Sequence, residues 1–221
     1  MSVGKEVRMS HNSIIVPEGL PFIIAVGVST LILFVFGFIK VAVFTLAITC
    51  FVVWFFRNPE RKIPEDKGVV VSPADGKVII IEEVRRDDLA PGYFIKISIF
   101  MNVFNVHVNR IPYSGTVQII RYKKGRFISA NLDKASALNE QNAIVIATDK
   151  GSQIITVQIA GLIARRIVCW IKEGMILKKG ERFGLIRFGS RLDVYLPPDT
   201  EIKVKIGDKV RSGESVLGEL C

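Results

Sequence analysis

Residues 21–56 form an apolar run with a single charge, Lys40, whereas charged positions recur throughout the chain from Arg57 onwards. The chain therefore divides near Arg57. Residues 21–39 approach the ~20 apolar residues that a helix needs to cross a bilayer, and residues 41–56 sit at the lower limit. A cleaved signal peptide would have a shorter apolar core ending in small residues, but this run closes on Trp54, Phe55 and Phe56. It is expected to be an anchor. Lys5 and Arg8 precede it and Arg57, Arg61, Lys62 and Lys67 follow it, which favours the cytoplasmic side for both ends. That predicts a helical hairpin turning at residues 37–40, with one long tilted or monotopic segment as the alternative.

Beyond the anchor the pattern changes to short runs of β-branched and aromatic residues, at 69–71, 78–81, 93–100, 116–121, 144–148, 153–159, 167–171, 182–188 and 193–196. Turn-type clusters separate them, and only residues 135–141 offer a short helix. The predicted organisation is an N-terminal segment 1–20, an anchor 21–56, a charged, proline-containing linker 57–67 and a mainly β domain 68–221. Within that domain, residues 72–78 and 204–220, with glycines at turn positions, resemble the two halves of a lipoyl/biotinyl-like barrel-sandwich domain. The Met-Lys-Met tripeptide of the carrier proteins is missing.

Charge narrows the partners. The formal net charge is +9, nearly all of it after Arg57. A basic domain tethered at a membrane is drawn to anionic headgroups, at ~1 kcal/mol per basic residue near the surface. The basic residues are scattered and form no recognisable nucleic-acid module, so nucleic acid is not expected as a partner. Cys50, Cys169 and Cys221 have neither metal-like nor disulfide-like spacing, which agrees with a reducing, cytoplasmic location and with no metal.

Three residues can carry chemistry. Of the two histidines, His11 precedes the anchor, which leaves His107, after the strand at 93–100, as the plausible imidazole. Imidazole, with an unperturbed pKa of ~6.5, can take and return a proton at neutral pH; a packed structural histidine is the plain alternative. Asp75, in Ser-Pro-Ala-Asp-Gly, reads by itself as a turn residue, although a carboxylate can also orient an imidazole. Gly189-Ser190 reads by itself as a turn between two strands. The Gly-x-Ser-x-Gly nucleophile motif is absent, because Phe188 and Leu192 stand where its glycines would be.

Together these pieces resemble the short bacterial form of phosphatidylserine decarboxylase over nearly the whole chain: the anchor, Ser-Pro-Ala-Asp-Gly at 72–76, Phe-Met-Asn-Val-Phe-Asn-Val-His-Val-Asn-Arg at 100–110 and Arg-Phe-Gly-Ser-Arg at 187–191. The resemblance implies that Asp75 polarises His107, that His107 deprotonates Ser190, and that Ser190 attacks the Gly189 carbonyl. Gly189, lacking a side chain, leaves that carbonyl open. The chain would be cut between Gly189 and Ser190, leaving fragments 1–189 and 190–221 as a heterodimer, with Ser190 converted to a pyruvoyl cofactor. That group would serve as the electron sink in converting phosphatidylserine to phosphatidylethanolamine and CO2, with His107 a candidate proton donor.

The resemblance further implies an inner-membrane enzyme facing the cytoplasm; higher homo-oligomers stay open. Longer relatives carry Leu-Gly-Ser-Thr at the cut and a second histidine where Phe104 stands here, so no second-histidine role carries over. Two other readings remain: a membrane-anchored serine hydrolase using Asp75, His107 and Ser190, and a non-enzymatic barrel-sandwich adaptor.

Overall fold

A computed structural model describes residues 13–126, 138–161, 166–187 and 190–220. It separates into two compact units, Met1–Glu60 and Arg61–Cys221.

The first unit holds a short 3-10 turn, Pro17–Gly19, and two helices, α1 (Leu20–Val35) and α2 (Ile39–Phe55). They are joined at Gly37, whose φ of 80° suits a residue without a Cβ. The hydroxyls in these apolar helices bond back to their own turns, as in Ser29 to the Ala25 carbonyl and Thr49 to the Thr45 carbonyl, which satisfies them within the helix. The open end of the pair is closed by backbone bonds from Val16 N to Phe56 O and from Asn58 N to Ile14 O. Phe22 stacks on Phe56 there. Most outward side chains are large and apolar, including Leu31, Phe34, Phe36 and Phe44. Pro17–Val35 is long and apolar enough to cross a membrane, and Ile39–Phe55 is a shorter apolar helix. The expected turn at 37–40 is thus observed as a helix–turn–helix.

The second unit is built of strands β1 (Val69–Val71), β2 (Gly76–Arg86), β3 (Gly92–Met101), β4 (Val108–Arg110), β5 (Gly115–Lys123), β6 (Gln141–Thr148), β7 (Gln153–Ala160), β8 (Ile167–Cys169), β9 (Ile176–Leu177), β10 (Arg182–Ile186), β11 (Ser190–Leu196), β12 (Glu201–Ile202), β13 (Lys209–Val210) and β14 (Val216–Glu219). Eight of them form one antiparallel sheet in the order β13-β2-β3-β11-β7-β6-β5-β9. Two three-stranded sheets, β1-β14-β12 and β4-β10-β8, complete the unit. The mainly β expectation holds. The short strands β4, β9 and β12 carry too little pattern to be read from sequence.

The central strands of the large sheet, β11, β7 and β6, are buried on both faces. Ile97, Ile99 and Met101 of β3, Leu192, Val194 and Leu196 of β11, and Ile144 and Ile146 of β6 belong to one core. The alternate residues Val145, Ile155, Val157, Ile159 and Tyr195 pack with Phe94, Leu89 and Ala90 in a second. Two-sided burial explains why residues 144–148 and 153–159 are nearly continuous apolar runs instead of alternating.

Residues 61–63, expected within a linker, are seated on the β unit: Arg61 is only 9% exposed, and the Ile63 side chain fills the space over Gly180 and Gly213. Of the helix expected at 135–141, residues 135–137 lie outside the described residues, and residues 139–141 are not helical: Asn139 bridges to Arg126 and Gln141 begins β6, because this stretch joins the sheet.

Gly184 of β10 lets two backbones meet, because a Cβ there would collide with the Val168 carbonyl. Gly184→Ala is expected to lower stability by about 1–3 kcal/mol, the usual cost of overpacking. A urea titration of the detergent-solubilised chain reads this as a lower midpoint.

Candidate active site

Strand β11 lies between β3 and β7, and its first residue, Ser190, faces Met101 on one side and Ala160 on the other. Ser190 is 0% exposed, and its Oγ has no hydrogen-bond partner among the described residues. A buried hydroxyl left unpaired costs about 1–3 kcal/mol, so its retention asks for a chemical reason. Phe188 and Gly189, and with them the expected cut, lie outside the described residues.

His107 is presented by a loop that its own asparagines shape. Asn105 Oδ1 accepts from the Asn102 N–H at 2.9 Å, and Asn102 Oδ1 accepts from the Phe104 N–H at 2.9 Å, the side-chain turn chemistry for which asparagine is selected. The ring is buried, with Nδ1 3.0 Å from the Asn105 carbonyl oxygen. A carbonyl can only accept, so Nδ1 carries a proton, and whenever the ring is neutral its lone pair lies on Nε2. The His107 carbonyl accepts from the Ile186 N–H at 3.4 Å. This sets the histidine beside the end of β10, from which the chain runs on to Ser190.

Asp75 sits, as its motif suggests, in a turn: Ser72 Oγ donates to the Ala74 carbonyl at 2.7 Å. Gly76 then opens β2 so close to β3 that a Cβ would strike the Phe100 carbonyl. The Asp75 carboxylate accepts from the Ser212 N–H at 2.7 Å and from Arg61 Nη2 at 3.0 and 2.8 Å on its two oxygens. Ser212 Oγ donates to the Pro73 carbonyl at 3.1 Å and to the Val108 carbonyl at 3.4 Å. Asp75 is thereby linked through Ser212 to the residue after His107. Among the described residues no Asp75–His107 hydrogen bond forms, and the acceptor that sets the imidazole is the Asn105 carbonyl. Arg61, Asn105 and Ser212 are members of this constellation that sequence reasoning missed. Arg61 looked like one more solvated charge of a linker, and serines near a C-terminus carry no signal of their own.

A chain of buried amides borders the same region. Gln158 Nε2 donates to Asn109 Oδ1 at 2.9 Å, Asn142 Nδ2 to Gln158 Oε1 at 3.0 Å, Asn139 Nδ2 to the Ala160 carbonyl at 2.7 Å, and Asn109 Nδ2 reaches Met101 Sδ at 3.8 Å. Behind β11, Arg191 and Asp193 form a fully buried ion pair at 2.6 Å, with Arg191 Nη2 also donating to Ser98 at 2.7 Å. A pair within one strand contributes little net stability; the contact that ties β11 to its neighbour is the bond from Arg191 to Ser98 of β3. Burial, and after it the Asp193 charge, pushes the Tyr195 phenol well up, while the Arg86 guanidinium lies 4.3 Å from that ring's centre. Burial likewise pushes the Cys169 thiol up. Among the described residues no cluster of three or more His, Cys, Asp or Glu side chains could hold a metal ion.

Residues 48–218 match the family model described as phosphatidylserine decarboxylase. The chain belongs to the phosphatidylserine decarboxylase family. It is 58% identical over 211 residues to a phosphatidylserine decarboxylase proenzyme of Syntrophus aciditrophicus, covering 95% of this chain and 99% of the relative. A proenzyme of the same name from Geotalea uraniireducens is 50% identical, with 96% and 99% coverage, and one from Desulfotalea psychrophila is 48% identical, with 92% and 95%. The family resemblance in the motifs is therefore confirmed, and neither the hydrolase nor the adaptor reading finds support. Phosphatidylserine decarboxylases of this kind are pyruvoyl-dependent enzymes. The residues present fit that group: the residue from which it would form is Ser190, whose buried hydroxyl has no hydrogen-bond partner among the described residues and which heads a strand paired on both sides.

Proposed function

We propose that this phosphatidylserine decarboxylase family member cuts itself between Gly189 and Ser190, and that the resulting heterodimer converts phosphatidylserine to phosphatidylethanolamine and CO2. The observation that carries the reading is the Ser190 hydroxyl, buried, without a hydrogen bond among the described residues and at the start of the central strand.

In the cut, His107 Nε2 takes the Ser190 Oγ proton, Oγ attacks the Gly189 carbonyl carbon, and the peptide C–N bond breaks as the nitrogen accepts a proton from the imidazolium. The peptide has become an ester. Removal of the Ser190 α-proton then expels the Gly189 carboxylate, and water displaces the nitrogen as ammonia. Asp75, held by Arg61 and Ser212, supports the loop that carries His107.

Strand pairing supports a stable heterodimer. Fragment 190–221 contributes β11, paired along its length with β3 and β7, and also β13 on β2 and β14 on β1. The two fragments are expected to co-purify until a denaturant is added, then to separate by mass after residue 189. The pairing of β13 and β14 with the strands flanking residues 72–76 also supports a barrel-sandwich-like closure.

When present, the pyruvoyl group supplies an electron sink for the carbanion left as CO2 departs. The chain's own part would be to position and protonate, with His107, beside the end of β10, our candidate for returning a proton to the substrate α-carbon. The apolar helices would keep the domain at its lipid substrate, as an anchor over 21–56 followed by the charged segment 57–67. Lys5 and Arg8 before them and Arg57 after them favour the cytoplasmic face of the inner membrane, where anionic lipid would attract the basic domain.

The test supplies the solubilised, processed protein with carboxyl-labelled phosphatidylserine. Labelled CO2 and phosphatidylethanolamine should appear together, and phenylhydrazine should stop both. Full activity from an uncut chain would overturn the reading.

A further inference from the structure

Arg61 opens the β unit, a few residues after α2 ends, in a charged stretch where an arginine would ordinarily be solvated. Its side chain is instead 9% exposed. Nη2 lies 3.0 and 2.8 Å from the two Asp75 oxygens, and Nη1 lies 3.2 Å from Glu214 Oε2. The neighbouring backbone joins in, with the Lys62 N–H directed at Glu214 Oε1 at 3.4 Å. Ile63 fills the space over Gly180 and Gly213, which have φ values of 81° and 78°. Residues 61–63 are therefore a seated strap.

Its partners lead toward the chemistry. Asp75 Oδ1 takes both Arg61 and the Ser212 N–H, and Ser212 Oγ reaches the carbonyls of Pro73 and Val108. The Arg110 N–H also bonds the Pro73 carbonyl, at 2.9 Å. Arg61, Asp75, Ser212 and Val108 thus form one continuous chain of contacts ending at the residue beside His107.

We infer that Arg61 is a positioning residue for self-processing: it fixes the Asp75 carboxylate and, through Ser212, the backbone that carries His107. This rests on the reading of Asp75 and His107 proposed above. The guanidinium matters for its shape as well as its charge, because Nη2 meets both oxygens of Asp75 while Nη1 meets Glu214, a spread over two fixed nitrogens that the single nitrogen of a lysine does not reproduce. Without it a carboxylate that is only 8% exposed loses a charge-assisted partner and is free to turn away.

The experiment follows release of fragment 190–221 from full chains made by cell-free synthesis into detergent. It compares the native sequence with Arg61→Lys, Arg61→Ala, Asp75→Asn and His107→Gln, and each Arg61 variant is also made with Ser190→Ala for a urea midpoint. Both Arg61 variants should process at least ~10-fold more slowly while remaining fully folded without urea, whatever the fall in midpoint from the lost buried partner, and methylguanidinium, but not methylammonium, should restore part of the Arg61→Ala rate.

Native-rate processing by Arg61→Lys would overturn the inference, as would slow processing by chains that are partly unfolded without urea and are not rescued. Should Arg61→Ala fail to fold, the Arg61→Lys rate decides. Native-rate processing by Asp75→Asn would instead retire the reading of Asp75, whatever the Arg61 variants do.

Discussion

Ser190→Ala is expected to remain a single full-length chain with no decarboxylase activity. The change removes one oxygen and nothing else. Because that oxygen makes no hydrogen bond among the described residues, its loss breaks no contact of the fold. Ser190 also faces Met101 and Ala160 across the ladder, where an alanine fits equally well. Without Oγ there is no nucleophile for the Gly189 carbonyl and no atom from which to form the ester, so both the cut and the catalytic group are lost. Intact-mass measurement of the purified variant should find one species where the native sequence yields two, and the phosphatidylserine assay should read background. Two fragments from the alanine variant would mean that cleavage is carried out by another protein.

His107→Gln should slow the appearance of the fragments by about 10²–10⁴-fold, the range associated with a positioned general base. Glutamine keeps a polar side chain of similar reach and can still donate to the Asn105 carbonyl that holds Nδ1 at 3.0 Å, but it has no nitrogen that takes up a proton at neutral pH. The variant therefore separates proton transfer from loop shape. A time course of fragment release measures the rate, and a rate equal to that of the native sequence would remove His107 from the mechanism. Asn105→Ala offers a finer comparison: it spares the carbonyl that meets the ring while removing the side chain that accepts from the Asn102 N–H.

The two changes differ in kind. In the proposed mechanism Ser190 supplies the oxygen that leaves on the Gly189 carboxylate, whereas His107 only lowers a barrier. The first should abolish the cut and the second should slow it.

How much of this was legible beforehand can be judged residue by residue. The apolar run and its glycine at position 37 predicted two helices and their turn, because helix length and apolar surface are local properties. The strands at 93–100 and 153–159 were visible for the same reason, and the motifs around Asp75, His107 and Ser190 identified the family. The short strands β4 and β9 were not visible, since three or two residues carry no periodicity and their existence depends on partners distant in the chain. Asp75 was rightly seen as a turn residue. The bonds its carboxylate forms were not foreseeable, because Ser212 and Arg61 lie 137 and 14 residues away.

The sequence by itself determined which atoms are available for chemistry: one imidazole beyond the apolar run, one Gly-Ser peptide in the family's context, and apolar helices near the N-terminus. Tertiary structure decided how those atoms are held. It turned the His107 ring toward the Asn105 carbonyl, brought Arg61 and Ser212 to the Asp75 carboxylate, and buried a Ser190 hydroxyl that has no hydrogen-bond partner among the described residues. The reason is that hydrogen-bond partners are chosen by distance and direction in space, and residues far apart in the chain become neighbours only when the strands between them pair.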